Sequence, residues 1–201
     1  MNNEVQKNNN VIERALLFST MAHMGQVRKN QPDKPYIIHP IGVAEILIQY
    51  GADNNVIAAG LLHDVVEESK YTLKDIKREF GEDVAHLVEV ASEPERKQSD
   101  EERNKNWEDR KQQKIDKTRK LNLREKLVLT ADKIDNIENL LRDFKEKHNK
   151  DFSAFRIGKE KQEWYNRAMY YSLINEEDKE NPLFKRLENG INTVFERTME
   201  E

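Results

Sequence analysis

The feature that most constrains this chain is a polar pair at the end of an apolar run. Val56-Ile57-Ala58-Ala59-Gly60-Leu61-Leu62 is small and apolar, as in a buried helix, and it leads directly into His63-Asp64-Val65-Val66-Glu67-Glu68. A histidine and an aspartate entering a core side by side must be paired or must bind a cation, because a desolvated carboxylate is otherwise too costly. The fold therefore has to bring partners to this point. Two candidates sit in similarly apolar surroundings: His39 in Tyr36-Ile37-Ile38-His39-Pro40 and Asp132 in Leu129-Thr130-Ala131-Asp132-Lys133-Ile134. Imidazole with carboxylate suits a divalent transition metal such as Mn, Fe or Zn. Neighbours on an ideal helix diverge by about 100°, so His63 and Asp64 reach one ion only at the helix flank, with further ligands arriving from other helices.

Apolar periodicity supplies those helices. Val11 to Met24 has helical spacing, with Ile12, Ala15, Leu16, Met21 and Ala22 available to a core. Gly25 ends it, and Gln26 to Pro35 reads as a loop rich in cations and turn residues. A second helix begins near His39-Pro40, proline being tolerated in the first turn, and stops at Gly51. Asn54 or Asn55 is the expected cap of a third helix carrying Ile57, Leu61, Leu62 and His63. Thr72-Leu73-Lys74-Asp75 has the form of a helix start with Gly81 as its stop, and a short helix follows through Val84, Leu87, Val88 and Val90. Leu127 to Phe144 is amphipathic, and later helices carry Trp164, Tyr165, Met169, Tyr170 and Leu173, then Leu183, Leu187, Ile191, Val194 and Phe195. Strand-like alternation is nearly absent, so the expected fold class is all-α. The expected division is a flexible terminus at 1–10, one main domain at 11–175 and a C-terminal helix in 176–201 packed on it. Within the domain, 92–124 is dense in Lys, Arg, Glu and Asp with Trp107 and Ile115 as anchors, and reads as a charged hairpin and candidate lid.

Composition narrows the chemistry. There is no cysteine, so thiolate metal sites and cysteine nucleophiles are excluded, which is compatible with a reducing cytoplasm. No apolar run approaches the roughly 20 residues needed to cross a bilayer, and the first ten residues lack the apolar segment of a signal peptide. A net charge of −4 argues against a general nucleic-acid partner. No membrane partner is expected, and a homo-oligomer is left open. On the residues alone, the chain reads as a metal-dependent hydrolase.

The order His39, His63-Asp64, Asp132 resembles the HD-domain metal phosphohydrolases. Ala22-His23-Met24-Gly25-Gln26-Val27-Arg28-Lys29, Pro35-Tyr36-Ile37-Ile38-His39-Pro40, Leu61-Leu62-His63-Asp64-Val65-Val66-Glu67 and Ala131-Asp132-Lys133-Ile134-Asp135-Asn136 together look like the hydrolase domain of RelA/SpoT-type enzymes, in the small free-standing form. The resemblance covers roughly residues 11–175 and implies a compact HD-domain helical bundle. It implies that His39, His63, Asp64 and Asp132 hold Mn²⁺ and that Glu67, with Glu68, stands near the attacking water. By the same resemblance, Arg28 and Lys29 meet phosphate or guanosine groups and Asn136 helps to hold the nucleotide. The implied reaction removes the 3′-pyrophosphate of ppGpp or pppGpp to give GDP or GTP. One departure stands out: the family usually shows Glu-Asp where this chain has Glu67-Glu68, and often threonine where it has Ser69. The extra methylene keeps the charge and moves the carboxylate by about a bond length, which matters in a tightly positioned site.

Two other functions are compatible with these residues: phosphohydrolysis of another nucleotide, such as a deoxynucleoside monophosphate or NADPH, and metal-retaining nucleotide binding without catalysis. His23 follows an apolar helix and reads as a packed or supporting histidine rather than a ligand, while His86 and His148 read as surface residues. Trp164 and Tyr165 lie at helical spacing and read as core.

Overall fold

A computed structural model of the chain describes residues 2–28, 31–92, 106–146, 152 and 158–195. The chain divides into two compact units, 1–96 with 122–132 and 97–121 with 133–201. The first holds α1 (Asn2–Ala22), a ribbon of β1 (Val27–Arg28) and β2 (Gln31–Pro35), and helices α2 (Ile38–Tyr50), α3 (Asn54–Leu62), α4 (Val65–Glu68), α5 (Leu73–Phe80) and α6 (Glu82–Ala91). It also takes the start of α8 (Leu123–Glu146).

The apolar run has its explanation in α3, which is buried from Val56 through Leu62 and packs against α1, α2 and α6. A helix surrounded in this way needs no polar face, so it shows no amphipathic stripe. Its approach to α2 is closest at Gly60, where an added Cβ would stand 2.6 Å from Leu47 Cδ1. The cap of α3 is Asp53 rather than the expected Asn54 or Asn55. Its side chain accepts from the backbone N–H groups of Asn55 and Val56 at 3.1 and 3.2 Å. Arg124 of α8 bridges that cap to Asp83 of α6, donating to both carboxylates at 2.7–3.1 Å.

Several expected boundaries are present. Helix α2 stops at Gly51, whose φ of 80° suits the left-handed cap, and Thr72 and Asp75 form a capping box at α5. Other details differ. Helix α1 begins at Asn2, extending through residues expected to fray, since no glycine or proline interrupts 2–10. Its inward stripe runs through Ala15 and Ser19, so Leu16 and Met21, expected in the core, are exposed. The loop after Gly25 contains the antiparallel β1–β2 ribbon, too short and too polar to show an apolar alternation.

In the second unit α7 (Trp107–Thr118) and α10 (Pro182–Phe195) pack against α9 (Gly158–Leu173), with a short 3₁₀ turn at Glu176–Asp178. Ile115, Tyr165 and Met169 form a buried cluster flanked by Trp107, so the two expected anchors do anchor this part, while Trp164 is exposed. Arg186 of α10 donates to both oxygens of Glu138 at 2.6 and 2.9 Å. The first part of the candidate lid, 93–105, lies outside the described residues, as does His148. Among the described residues, no helix is long and apolar enough to cross a membrane.

Candidate metal centre

His63 and Asp64 do not lie within one continuous helix. Helix α3 ends at Leu62, the pair forms the turn, and α4 starts at Val65. The backbone groups freed at this break are taken up locally. The hydroxyl of Ser92 lies 3.1 Å from the His63 carbonyl, and the Glu68 N–H donates to the Asp64 carbonyl at 2.8 Å. Both residues keep right-handed helical backbone angles at this turn, and their side chains reach the same point at its flank.

Four polar groups meet there, all within the first unit. His63 Nε2 is 3.2 Å from His39 Nε2 and 3.3 Å from Asp64 Oδ1. Asp132 Oδ1 stands 3.3 Å from His39 Nε2 and 3.8 Å from His63 Nε2, and Asp64 Oδ2 is 3.6 Å from His39 Nε2. His39, His63 and Asp64 offer donor atoms that all lie within 4.8 Å of one another, a group that could hold a metal ion. With metal–ligand bonds of about 2.0–2.2 Å, neighbouring donors around one ion lie roughly 3–3.5 Å apart, close to the spacing here.

The donor chemistry passes the same test. His63 Nδ1 lies 2.8 Å from the Gly60 carbonyl, which can only accept, so Nδ1 carries the hydrogen and the neutral ring turns a lone pair on Nε2 toward the cluster. Imidazole and carboxylate lone pairs converging at these distances suit a shared cation. Burial acts to raise the Asp64 pKa, but the positive charge that His63 and His39 carry when protonated, with the hydrogen bond from Tyr36, outweighs it and holds the carboxyl below its usual range.

Around this cluster lies a second set of contacts. Tyr36 Oη donates to Asp64 Oδ2 at 2.5 Å, and burial followed by the Asp64 charge pushes the Tyr36 pKa far up, so the phenol keeps its proton. Arg28, on β1, stands with its guanidinium 5.8 Å from the Tyr36 ring centroid. Glu67 and Glu68 follow immediately on α4, and the Glu68 carbonyl accepts from Gln26 Nε2 at 2.6 Å. Asn136 is half-buried on α8, four residues beyond Asp132. Lys29 lies outside the described residues. His86 is exposed as expected, yet its Nε2 meets Glu125 at 2.6 Å.

Residues that sequence reasoning left without a role are Gly60, Ser92, Gln26 and Tyr36. Only the last carried a signal, as a hydroxyl-bearing ring three residues before His39 in an otherwise apolar stretch.

Fold and site together define an all-α protein with a mixed imidazole–carboxylate centre suited to a divalent metal. The family model described as HD domain matches residues 15–165, and the chain belongs to the HD-domain family. It is 35% identical over 134 residues to the guanosine-3′,5′-bis(diphosphate) 3′-pyrophosphohydrolase of Xenopus tropicalis, covering 66% of this chain and 70% of that protein. A probable GTP pyrophosphokinase of Mycobacterium leprae is 42% identical over 82 residues, or 41% of this chain; the chain spans about 10% of its length. Among solved structures, a metazoan ortholog of SpoT described as hydrolysing ppGpp superposes with a TM-score of 0.70, with 26% identity over 92% of this chain and 93% of that one.

Proposed function

We propose that this chain is a divalent-metal-dependent 3′-pyrophosphohydrolase of ppGpp and pppGpp, releasing pyrophosphate and leaving GDP or GTP, and that it acts in the cytoplasm. The observation that carries the reading is the convergence of His39, His63, Asp64 and Asp132 at 3.2–3.8 Å. Its likeness to the Xenopus hydrolase and to the metazoan SpoT ortholog supports the substrate. These four residues hold the ion, for which we propose Mn²⁺. When bound, a divalent ion lowers the pKa of water and polarises a phosphoryl oxygen.

The chain's own groups do the rest. Glu67, three residues beyond Asp64, accepts the proton of the attacking water, and Glu68 adds a second carboxylate on the same short helix. Arg28, with Lys29 next in sequence, offsets charge on the pyrophosphate, and Asn136 holds the nucleotide. Substrate attraction is compatible with a net charge of −4, because the local field of a cleft outweighs the total.

The test incubates metal-stripped protein with ppGpp, with and without Mn²⁺, and separates the products by ion exchange. GDP and pyrophosphate formed only with Mn²⁺ are expected. Release of orthophosphate, or no turnover with Mn²⁺ bound, would redirect the assignment to another phosphorylated nucleotide.

A further inference from the structure

The reaction as proposed gives no part to three side chains lying between α1 and α2, yet they are tied to each other and to the metal centre. Tyr36 Oη reaches Asp64 Oδ2 at 2.5 Å, and Gln26 Nε2 reaches the Glu68 carbonyl at 2.6 Å. His23 stands between these two braces. Its ring stacks on Tyr36, with centroids 4.7 Å apart and planes inclined by 24°, and its Nδ1 is 2.9 Å from Gln26 Oε1. The backbone closes the same loop, the Tyr36 N–H donating to the Gln26 carbonyl at 2.9 Å.

The position of the His23 proton follows from this geometry. Gln26 directs its NH₂ at the Glu68 carbonyl, so the oxygen that faces His23 can only accept, and Nδ1 must carry the hydrogen. The other nitrogen, Nε2, is buried in a residue only 3% exposed and has no hydrogen-bond partner among the described residues. An unpaired buried nitrogen costs free energy that an apolar ring of the same size would not. Phenylalanine would remove that cost but leave Gln26 Oε1 without its donor. What histidine adds is the Nδ1–H.

We propose that His23 is a positioning residue with two arms. Its ring sets Tyr36 against Asp64, and its Nδ1–H sets Gln26 against the end of α4. One side chain thereby fixes both a proposed ligand and the turn that bears Glu67 and Glu68. The catalytic consequence rests on the function proposed above; the effect on the metal does not. Tyr36 holds Asp64 at Oδ2, so a tilted Tyr36 would turn the carboxylate. Gln26 occupies a carbonyl at a helix C-terminus that has no partner within the helix, so its loss frees that turn.

Two variants separate the arms. His23→Phe keeps a ring against Tyr36 and removes the donor; His23→Asn keeps a donor near the Nδ1 position and removes most of the ring. For each, Tm, Mn²⁺ affinity by titrating the stripped protein with Mn²⁺ alone, and kcat and KM for ppGpp are measured. H23F should keep a Tm near wild type, bind Mn²⁺ like wild type, and lose about tenfold in kcat at unchanged KM. H23N should bind Mn²⁺ about tenfold more weakly, as loss of a ligand's supporting contact does. Wild-type kcat in H23F would overturn the Gln26 arm, and wild-type Mn²⁺ affinity in H23N would overturn the Tyr36 arm. If the wild-type protein itself leaves ppGpp intact, the function proposed above fails, and the Mn²⁺ affinities still decide whether His23 orients Asp64.

Discussion

The Nε2 atoms of His39 and His63 face each other at 3.2 Å, one brought by the first turn of α2 and the other by the end of α3. Since His63 Nδ1 is committed to the Gly60 carbonyl, the contact puts a lone pair of His63 against its neighbour, with two carboxylates close by. An ion seated among these donors would interact with all of them at once, which gives the centre a thermodynamic signature.

Metal binding should therefore appear as folding stability. Adding Mn²⁺ to stripped protein at about a hundredfold excess over Kd should stabilise it by about 2.7 kcal/mol. For a chain of this length that is a rise of roughly 5–10 °C in Tm. His63→Ala and Asp64→Ala should abolish both the rise and turnover, and an undiminished rise in either variant would remove that residue from the ligand set.

Glu67 should separate binding from chemistry. Glu67→Gln preserves size while removing the proposed base, so Mn²⁺ affinity should stay near wild type as kcat falls by about 10²–10⁴. Steady-state kinetics beside a Mn²⁺ titration would show this; a kcat equal to wild type would take Glu67 out of the reaction.

Acid should loosen the fastening between α3, α6 and α8. Burial acts to raise the Asp53 pKa, but the hydrogen bonds from Arg124 and the α3 backbone outweigh it and hold it low. The Arg124 hydrogen bond is the main cause holding the Asp83 pKa low as well. A depressed carboxylate contributes stability above its unfolded pKa of about 3.9 and loses it as pH falls through the folded value. Between neutral pH and about pH 4 the contribution is constant; below that, wild type should lose more stability than Arg124→Gln. All three groups are about half exposed, so the difference should be only about 1 kcal/mol and should shrink in salt. Urea midpoints at pH 7 and pH 3 measure it, and equal acid losses in the two proteins would contradict it.

Gly60→Ala tests the approach of α2 to α3. A Cβ would press on Leu47 Cδ1 at 2.6 Å and Val43 Cγ1 at 3.3 Å, both side chains being fully buried. Alanine gains about 1 kcal/mol in helix propensity, and overpacking costs about 1–3 kcal/mol, so a net loss of up to about 2 kcal/mol is expected. Mn²⁺ affinity should fall as well, because α2 carries His39. A variant both more stable and unchanged in Mn²⁺ affinity would mean that Leu47 simply rotates aside.

Local chemistry was legible wherever a residue's own shape decides the outcome. Gly51 requires a left-handed turn, and Thr72 with Asp75 caps α5, so both boundaries could be read from the chain. The convergence of His39, His63-Asp64 and Asp132 was legible because polar groups in apolar runs must find company. Other features depend on partners distant in sequence. Asp53 wins the cap of α3 with Arg124 held against it, 71 residues away. The inward face of α1 is set by where α3 lies, so Leu16 and Met21 could not be excluded from the core by spacing alone. The break at His63 leaves no glycine or proline to mark it, and its stabilising contact comes from Ser92.

That break limits how the centre could be moved to another protein. A designer who copied His63 and Asp64 onto an uninterrupted helix would keep the right residues at the right spacing but not the turn at 63–64 where α3 gives way to α4. The portable module is a helix end, a two-residue turn and a second helix start, together with a hydroxyl placed to donate to the exposed carbonyl.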